Sequence, residues 1–233
     1  MHILKILIFL FLLILNLSCS KSNNIENKSL LKETNIEKQV LLAYKEGLEE
    51  LENGDVLFAA KKFNEVEILF PQSEWAPKST LMAAYAYYSQ AYYFDAVEEL
   101  KIFFKKYPNH TDADYATYLM GMTYYEQIVD EKKDLNSIIM AMEYFKKLVS
   151  DFPNTDYAID AKFKIDLISD LLASKEMYLG RYYSDKKKWI AAINRFRYVI
   201  DNYDTTIYAE EALFRLVEIH YKIGMIEEAE KYA

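Results

Sequence analysis

The amino-acid sequence predicts an all-α superhelix of about five helix pairs, and three observations carry that prediction. Helix breakers are scarce, with five Gly and four Pro in 233 residues, while Ala, Leu, Lys and Glu are abundant; such a composition favours helix. From Ile36 onward apolar residues recur at three- and four-residue spacing almost to the end of the chain, the period of an amphipathic helix. An aromatic residue followed by Pro and a short polar stretch returns at Phe70-Pro71, Tyr107-Pro108 and Phe152-Pro153. A fourth copy, Tyr203-Asp204, keeps the aromatic but has Asp in the Pro position. Pro ends a helix and biases the residue before it out of helical geometry, and the polar residues after it are candidate caps for the next helix.

The first eighteen residues stand apart. Lys5 precedes an apolar run, Ile6 to Leu15, and Asn16-Leu17-Ser18 leads to Cys19, the only cysteine. The run is too short for a bilayer span, which takes about 20 apolar residues, and suits a signal peptide over residues 1–18. A small residue directly before a lone Cys resembles the lipobox of bacterial lipoproteins, although Asn16 stands where Leu is usual. The resemblance implies that Cys19 becomes the acylated, palmitate-bearing first residue. With Ser20 rather than Asp next, it also implies the outer membrane, on its periplasmic face. Residues 19–35, rich in Ser, Asn, Lys and Glu, read as a flexible tether, and the solenoid as residues 36–233.

Between the joints a second pattern repeats. Gly47, Ala59, Phe63 and Pro71 stand in the same frame as Ala84, Tyr87, Ala96, Leu100 and Pro108. Gly121, Tyr124, Ala141, Phe145 and Pro153 follow, then Gly180, Tyr183, Ala192 and Phe196, and a partial fifth copy at Ala229. This order of small, aromatic, small, aromatic and Pro is that of the tetratricopeptide (TPR) repeat. Small residues let paired helices approach, and large rings fill the space beside them. The repeats span about 39–72, 77–109, 114–154, 157–205 and 206–233. The third is lengthened by a charged stretch, Asp130 to Asn136, read as a loop. The fourth is lengthened by a long first helix from about Tyr157 to Tyr183.

Composition excludes several functions. The net charge of −8 is spread along the chain without a basic stripe, so nucleic acid is not an expected partner. The histidines are far apart, and there is no HExxH, Gly-rich phosphate loop or GxSxG; no enzyme, metal or cofactor is expected. Tyrosine, present 21 times, is the informative residue. In TPR proteins certain positions of each first helix face a concave groove. Here those positions hold Tyr44, Tyr85, Tyr88, Tyr115, Tyr118 and Tyr125 over three repeats, then the polar set Ser174, Arg181, Ser184 and Asp185 with Met177. Tyr offers a broad apolar face and a polar tip at low entropic cost, which suits capture of a peptide.

Three stretches are more specific than the repeat pattern: Ala84-Tyr85-Ala86-Tyr87-Tyr88, Asp114 to Gly121, and Glu176 to Tyr183 followed by Trp189 to Arg195. With the anchor and the five units, they resemble the BamD (ComL) family, lipoproteins of the outer-membrane β-barrel assembly machinery. The resemblance implies N-terminal repeats that receive unfolded outer-membrane proteins through a C-terminal targeting segment. It implies C-terminal repeats that dock the periplasmic domains of the barrel-forming partner BamA, alongside other assembly lipoproteins. Trp189, Asn194, Arg195 and Arg197 are the docking candidates. The alternative is a periplasmic TPR lipoprotein that coordinates cell-wall synthesis or cell division.

Overall fold

The aromatic–Pro joints mark helix ends, and their geometry shows why. The computed structural model describes residues 25–128 and 135–233. Among them run α1 (Ile25–Asn53), α2 (Val56–Leu69), α3 (Trp75–Ser89), α4 (Tyr93–Lys106) and α5 (Ala113–Tyr125). They are followed by α6 (Asn136–Asp151), α7 (Asp156–Asp185), α8 (Trp189–Asn202), α9 (Ala209–Lys222) and α10 (Ile226–Glu230). No strand occurs among the described residues. Each helix packs chiefly on the next, α1 on α2, α2 on α3 and so to α10, which is the stacking of a TPR superhelix.

At every joint the aromatic residue caps the helix before it. The backbone N–H groups of Phe70, Tyr107, Phe152 and Tyr203 donate to the carbonyls of Val66, Phe103, Leu148 and Val199 at 2.9, 2.8, 2.9 and 2.8 Å. The four residues share φ from −140° to −127°. Asp204 therefore leaves the joint unchanged. The aromatic residue sets the geometry and Pro only stiffens it. The expectation that the polar residues cap the next helix holds at Thr155, whose Oγ1 accepts the Ala158 N–H at 3.2 Å. At the fourth joint Thr206 donates backwards to the Tyr203 carbonyl at 2.7 Å instead, and the buried Ser73 hydroxyl makes no hydrogen bond.

Within pairs the turns also repeat. Gly54, Ala91, Lys187 and Gly224 all take positive φ (83°, 61°, 56° and 81°) where the first helix hands over to the second, the left-handed geometry that reverses a chain tightly. The third pair has its longer connection here. Its expected loop, Asp130 to Asn136, lies mostly outside the described residues, and α6 opens at Asn136.

The small-for-large pattern is a real contact. A Cβ on Gly47, Gly121 or Gly180 would stand 2.7, 2.6 or 2.5 Å from Phe63, Phe145 or Phe196, so only hydrogen fits there. The second pair uses Ala84 with the smaller Leu100 in the same cluster. Among the described residues, four apolar cores follow one another along the stack. The long helix α7 serves two of them: Ala158, Ala161 and Ile168 belong to the third pair's core, and Ala173 and Met177 to the last. Its length, about 45 Å at about 1.5 Å per residue, matches the long helix expected. The first helix begins at Ile25, ahead of the periodic pattern that starts at Ile36.

Candidate functional site: a tyrosine trough and a C-terminal cleft

Alternate helices build the inner wall. Besides their own partners, α1 touches α3, α3 touches α5, and α5 touches α7. The first helices of successive pairs therefore stand side by side, and residues on their free faces share one trough.

Four of the six expected tyrosines meet there. Tyr85 and Tyr88 come from α3 and Tyr115 and Tyr118 from α5. The ring of Tyr157, at the start of α7, lies 5.5 Å from Tyr115 and 5.1 Å from Tyr118. Tyr118 Oη donates to Asp160 Oδ2 at 2.8 Å, tying α5 to α7. Burial pushes the phenol of Tyr115 well above its usual range, and the surrounding tyrosines add to the effect. Burial does the same for Tyr118, reinforced by its bond to Asp160, and for Tyr88, with the charge of Glu126 second. These rings stay neutral at any physiological pH and keep their O–H donors. Tyr85 is 38% exposed, so the trough is open rather than sealed.

The other two tyrosines have further neighbours of their own, although Tyr118 also reaches Phe145, at 6.3 Å. Tyr44 packs on Phe63 and Trp75 at 5.4 and 4.9 Å, and Tyr125 stands edge-on to Phe145 at 6.2 Å. The Lys164 ammonium sits 4.8 Å over the Tyr125 ring, a cation–π contact. Tyr157, Asp160 and Lys164 were not picked out from sequence. Their three- and four-residue spacing is visible there, but the repeat frame restarts further along α7 and passes over them.

The expected polar continuation holds in part. Arg181 Nη1 contacts both Glu211 oxygens at 3.1 and 3.2 Å. From there a charge ladder runs along α9 through Arg215, Glu218 and Lys222. Met177 is a correction: it lies fully buried in the last core because α7 turns that face toward α8.

The docking candidates divide. Asn194 and Arg195 line a cleft of about 510 Å³ with Tyr183, Lys188, Ala191 and Tyr198. Arg195 Nη1 is held by Glu176 Oε2 at 2.9 Å, which fixes its planar donor group at the cleft wall. Trp189 is half-buried against the last core, while Arg197 is exposed outside the cleft lining. Lys188 and Tyr198 complete the cleft and were not anticipated. Cys19 lies outside the described residues. Among those described, no cluster of His, Cys, Asp or Glu could hold a metal ion, and no helix is long and apolar enough to cross a membrane.

Stacked helix pairs beside an open aromatic trough define the class of fold, a TPR superhelix. The chain belongs to the YfiO family of outer membrane lipoproteins, whose model matches residues 36–233. It is 42% identical over 195 residues to the outer membrane protein assembly factor BamD of Caulobacter vibrioides, covering 84% of this chain and 64% of that one. It is 42% identical over 189 residues to BamD of Rickettsia prowazekii, covering 81% and 75%. Among solved structures, the crystal structure of MamA aligns with a TM-score of 0.44 and 18% identity over 84% of this chain and 88% of that one.

Proposed function

We propose that this protein is a non-enzymatic, lipid-anchored scaffold in the assembly of β-barrel proteins into the outer membrane. The trough of Tyr85, Tyr88, Tyr115 and Tyr118, widened by Tyr157, receives extended segments of unfolded outer-membrane proteins. The cleft at Asn194 and Arg195, with Trp189 and Arg197 beside it, docks the periplasmic domains of a BamA-like barrel protein, with other assembly lipoproteins joining. Cys19 carries the lipid that holds the chain at the periplasmic face of the membrane. The relatives' shared name, assembly factor, supports the process. The observation that carries the peptide role is the cluster of tyrosine rings on three adjacent first helices, open at Tyr85. Such rings bury apolar side chains while their hydroxyls meet a peptide backbone.

The test is binding of a peptide from the last strand of an outer-membrane β-barrel protein. Replacing Tyr85, Tyr88 and Tyr118 together by Ala is expected to weaken binding at least about tenfold, because buried aromatic anchors dominate such interfaces. Helix content by circular dichroism should stay unchanged. Unaltered affinity of the folded variant would refute the trough as the site.

A further inference from the structure

The second helices carry a row of side chains that the packing leaves unused. Two residues before the packed alanines Ala59, Ala96, Ala141 and Ala192 stand Leu57, Phe94, Ile139 and Ile190. These four are 53%, 76%, 54% and 67% exposed. Leu57, Phe94 and Ile190 are second in their helices and Ile139 fourth, so all four lie near the edge of the stack where first helices hand over to second ones. Glu227 takes the equivalent place in the fifth pair and ends the row. Single exposed apolar residues are ordinary, but an apolar residue at the same register in four successive repeats marks a surface with a partner.

The fourth repeat adds charge to this edge. Lys186, Lys187 and Lys188 form its turn, directly before Trp189 and Ile190, and all three lysines are exposed. Lys186 leans over the Tyr182 ring at 5.9 Å, and none of the three makes an ion pair among the described residues. The same turn also holds Asp185, directly before Lys186, and elsewhere the edge holds Asp55, which accepts the Phe58 N–H, as well as Asp95 and Glu227. The cationic pull therefore comes from the fourth repeat, in a chain whose net charge is −8.

We propose that this edge rests on a bilayer surface containing anionic phospholipid. Lys186 and Lys187 meet the phosphates, Lys188 lines the neighbouring cleft, and the apolar row dips into the headgroup boundary beside them. Apolar side chains flanked by cations are what such a surface binds, and the charge of the fourth turn selects it over a neutral apolar partner. The chain's membership of an outer membrane lipoprotein family supplies the membrane. The inference is independent of the tyrosine trough.

The full chain, bound to vesicles of phosphatidylethanolamine with phosphatidylglycerol, is labelled with a nitroxide at Phe94→Cys or Ile190→Cys. Glu98→Cys, about one turn further along the same helix as Phe94, is the control, and any signal from Cys19 is subtracted using the unsubstituted chain. Labels at 94 and 190 should meet oxygen dissolved in the lipid and be shielded from a water-soluble nickel complex, whereas the label at 98 stays in water. Changing Lys186 and Lys187 together to Gln should weaken this contact on the order of 30-fold, the combined effect of two lysines near an anionic surface. Omitting phosphatidylglycerol should do the same. Labels at 94 and 190 that remain as open to nickel as the one at 98 would overturn the proposal. Shielding that appears only when a barrel-assembly partner is added would overturn it equally, by assigning the row to a protein.

Discussion

Gly121 shows how much of the stack depends on single atoms. An added Cβ there would stand 2.6 Å from Phe145 Cε1, and the Phe145 ring is fully buried with nowhere to retreat. Overpacking of this kind costs about 1–3 kcal/mol, while the better helix propensity of Ala returns up to about 1 kcal/mol. Gly121→Ala should therefore lower the urea midpoint. Phe145→Leu alone should lower it too, by leaving a void beside the Gly. Together they reproduce the Ala84–Leu100 arrangement of the second pair. The double variant is thus expected to be more stable than the sum of the two single losses. A double-mutant cycle with no favourable interaction would show that the close contact does not set the packing at this site.

At the scale of elements, the joint is the unit that repeats, and the fourth joint isolates what Pro contributes. Tyr203 caps α8 with the same backbone bond and nearly the same φ as its three Pro-followed counterparts. Asp204→Pro should then fit without strain. It should stabilise the protein by about 0.4–1 kcal/mol by restricting the unfolded chain, seen as a higher melting temperature with an unchanged spectrum. A lower one would mean that the backbone at 204 departs from the other joints. The helix-ending joints and the Gly–Phe contacts were legible in the sequence because each depends on residues a few positions apart, within a known frame. The trough was legible only in part. Tyr85, Tyr88, Tyr115 and Tyr118 follow the frame and meet, whereas Tyr44 shares it but packs between Phe63 and Trp75, and Tyr125 shares it but lies under the Lys164 ammonium. Tyr157 and Asp160 join the site from a helix whose repeat frame begins a dozen or so residues later. That outcome depends on how α7 lies across α5, a relation that no local spacing encodes.

For the whole molecule, α7 decides whether the stack behaves as one body or two. Its first half is sealed into the core of the third pair through Ala158, Ala161 and Ile168, and its second into the last core through Ala173 and Met177. The trough lies on one side of this division and the cleft at Asn194 and Arg195 on the other. In a repeat protein, stability passes between neighbours through their shared interfaces, so the unbroken helix is expected to couple the trough and the cleft. Asp170 lies between the two sets of buried residues and is itself only half-buried. Asp170→Pro would remove one helical hydrogen bond and clash with the preceding turn, at a cost of about 3 kcal/mol or more, while leaving both cores their side chains. Hydrogen exchange followed by mass spectrometry should then show α8 and α9 exchanging independently of α2 to α6, and heating should resolve two transitions. Peptide binding at the tyrosine trough should survive the substitution, because every residue that forms it precedes the break. If protection instead falls evenly from α2 to α9, the halves are coupled by more than this helix, and α7 is not the hinge between the trough and the cleft.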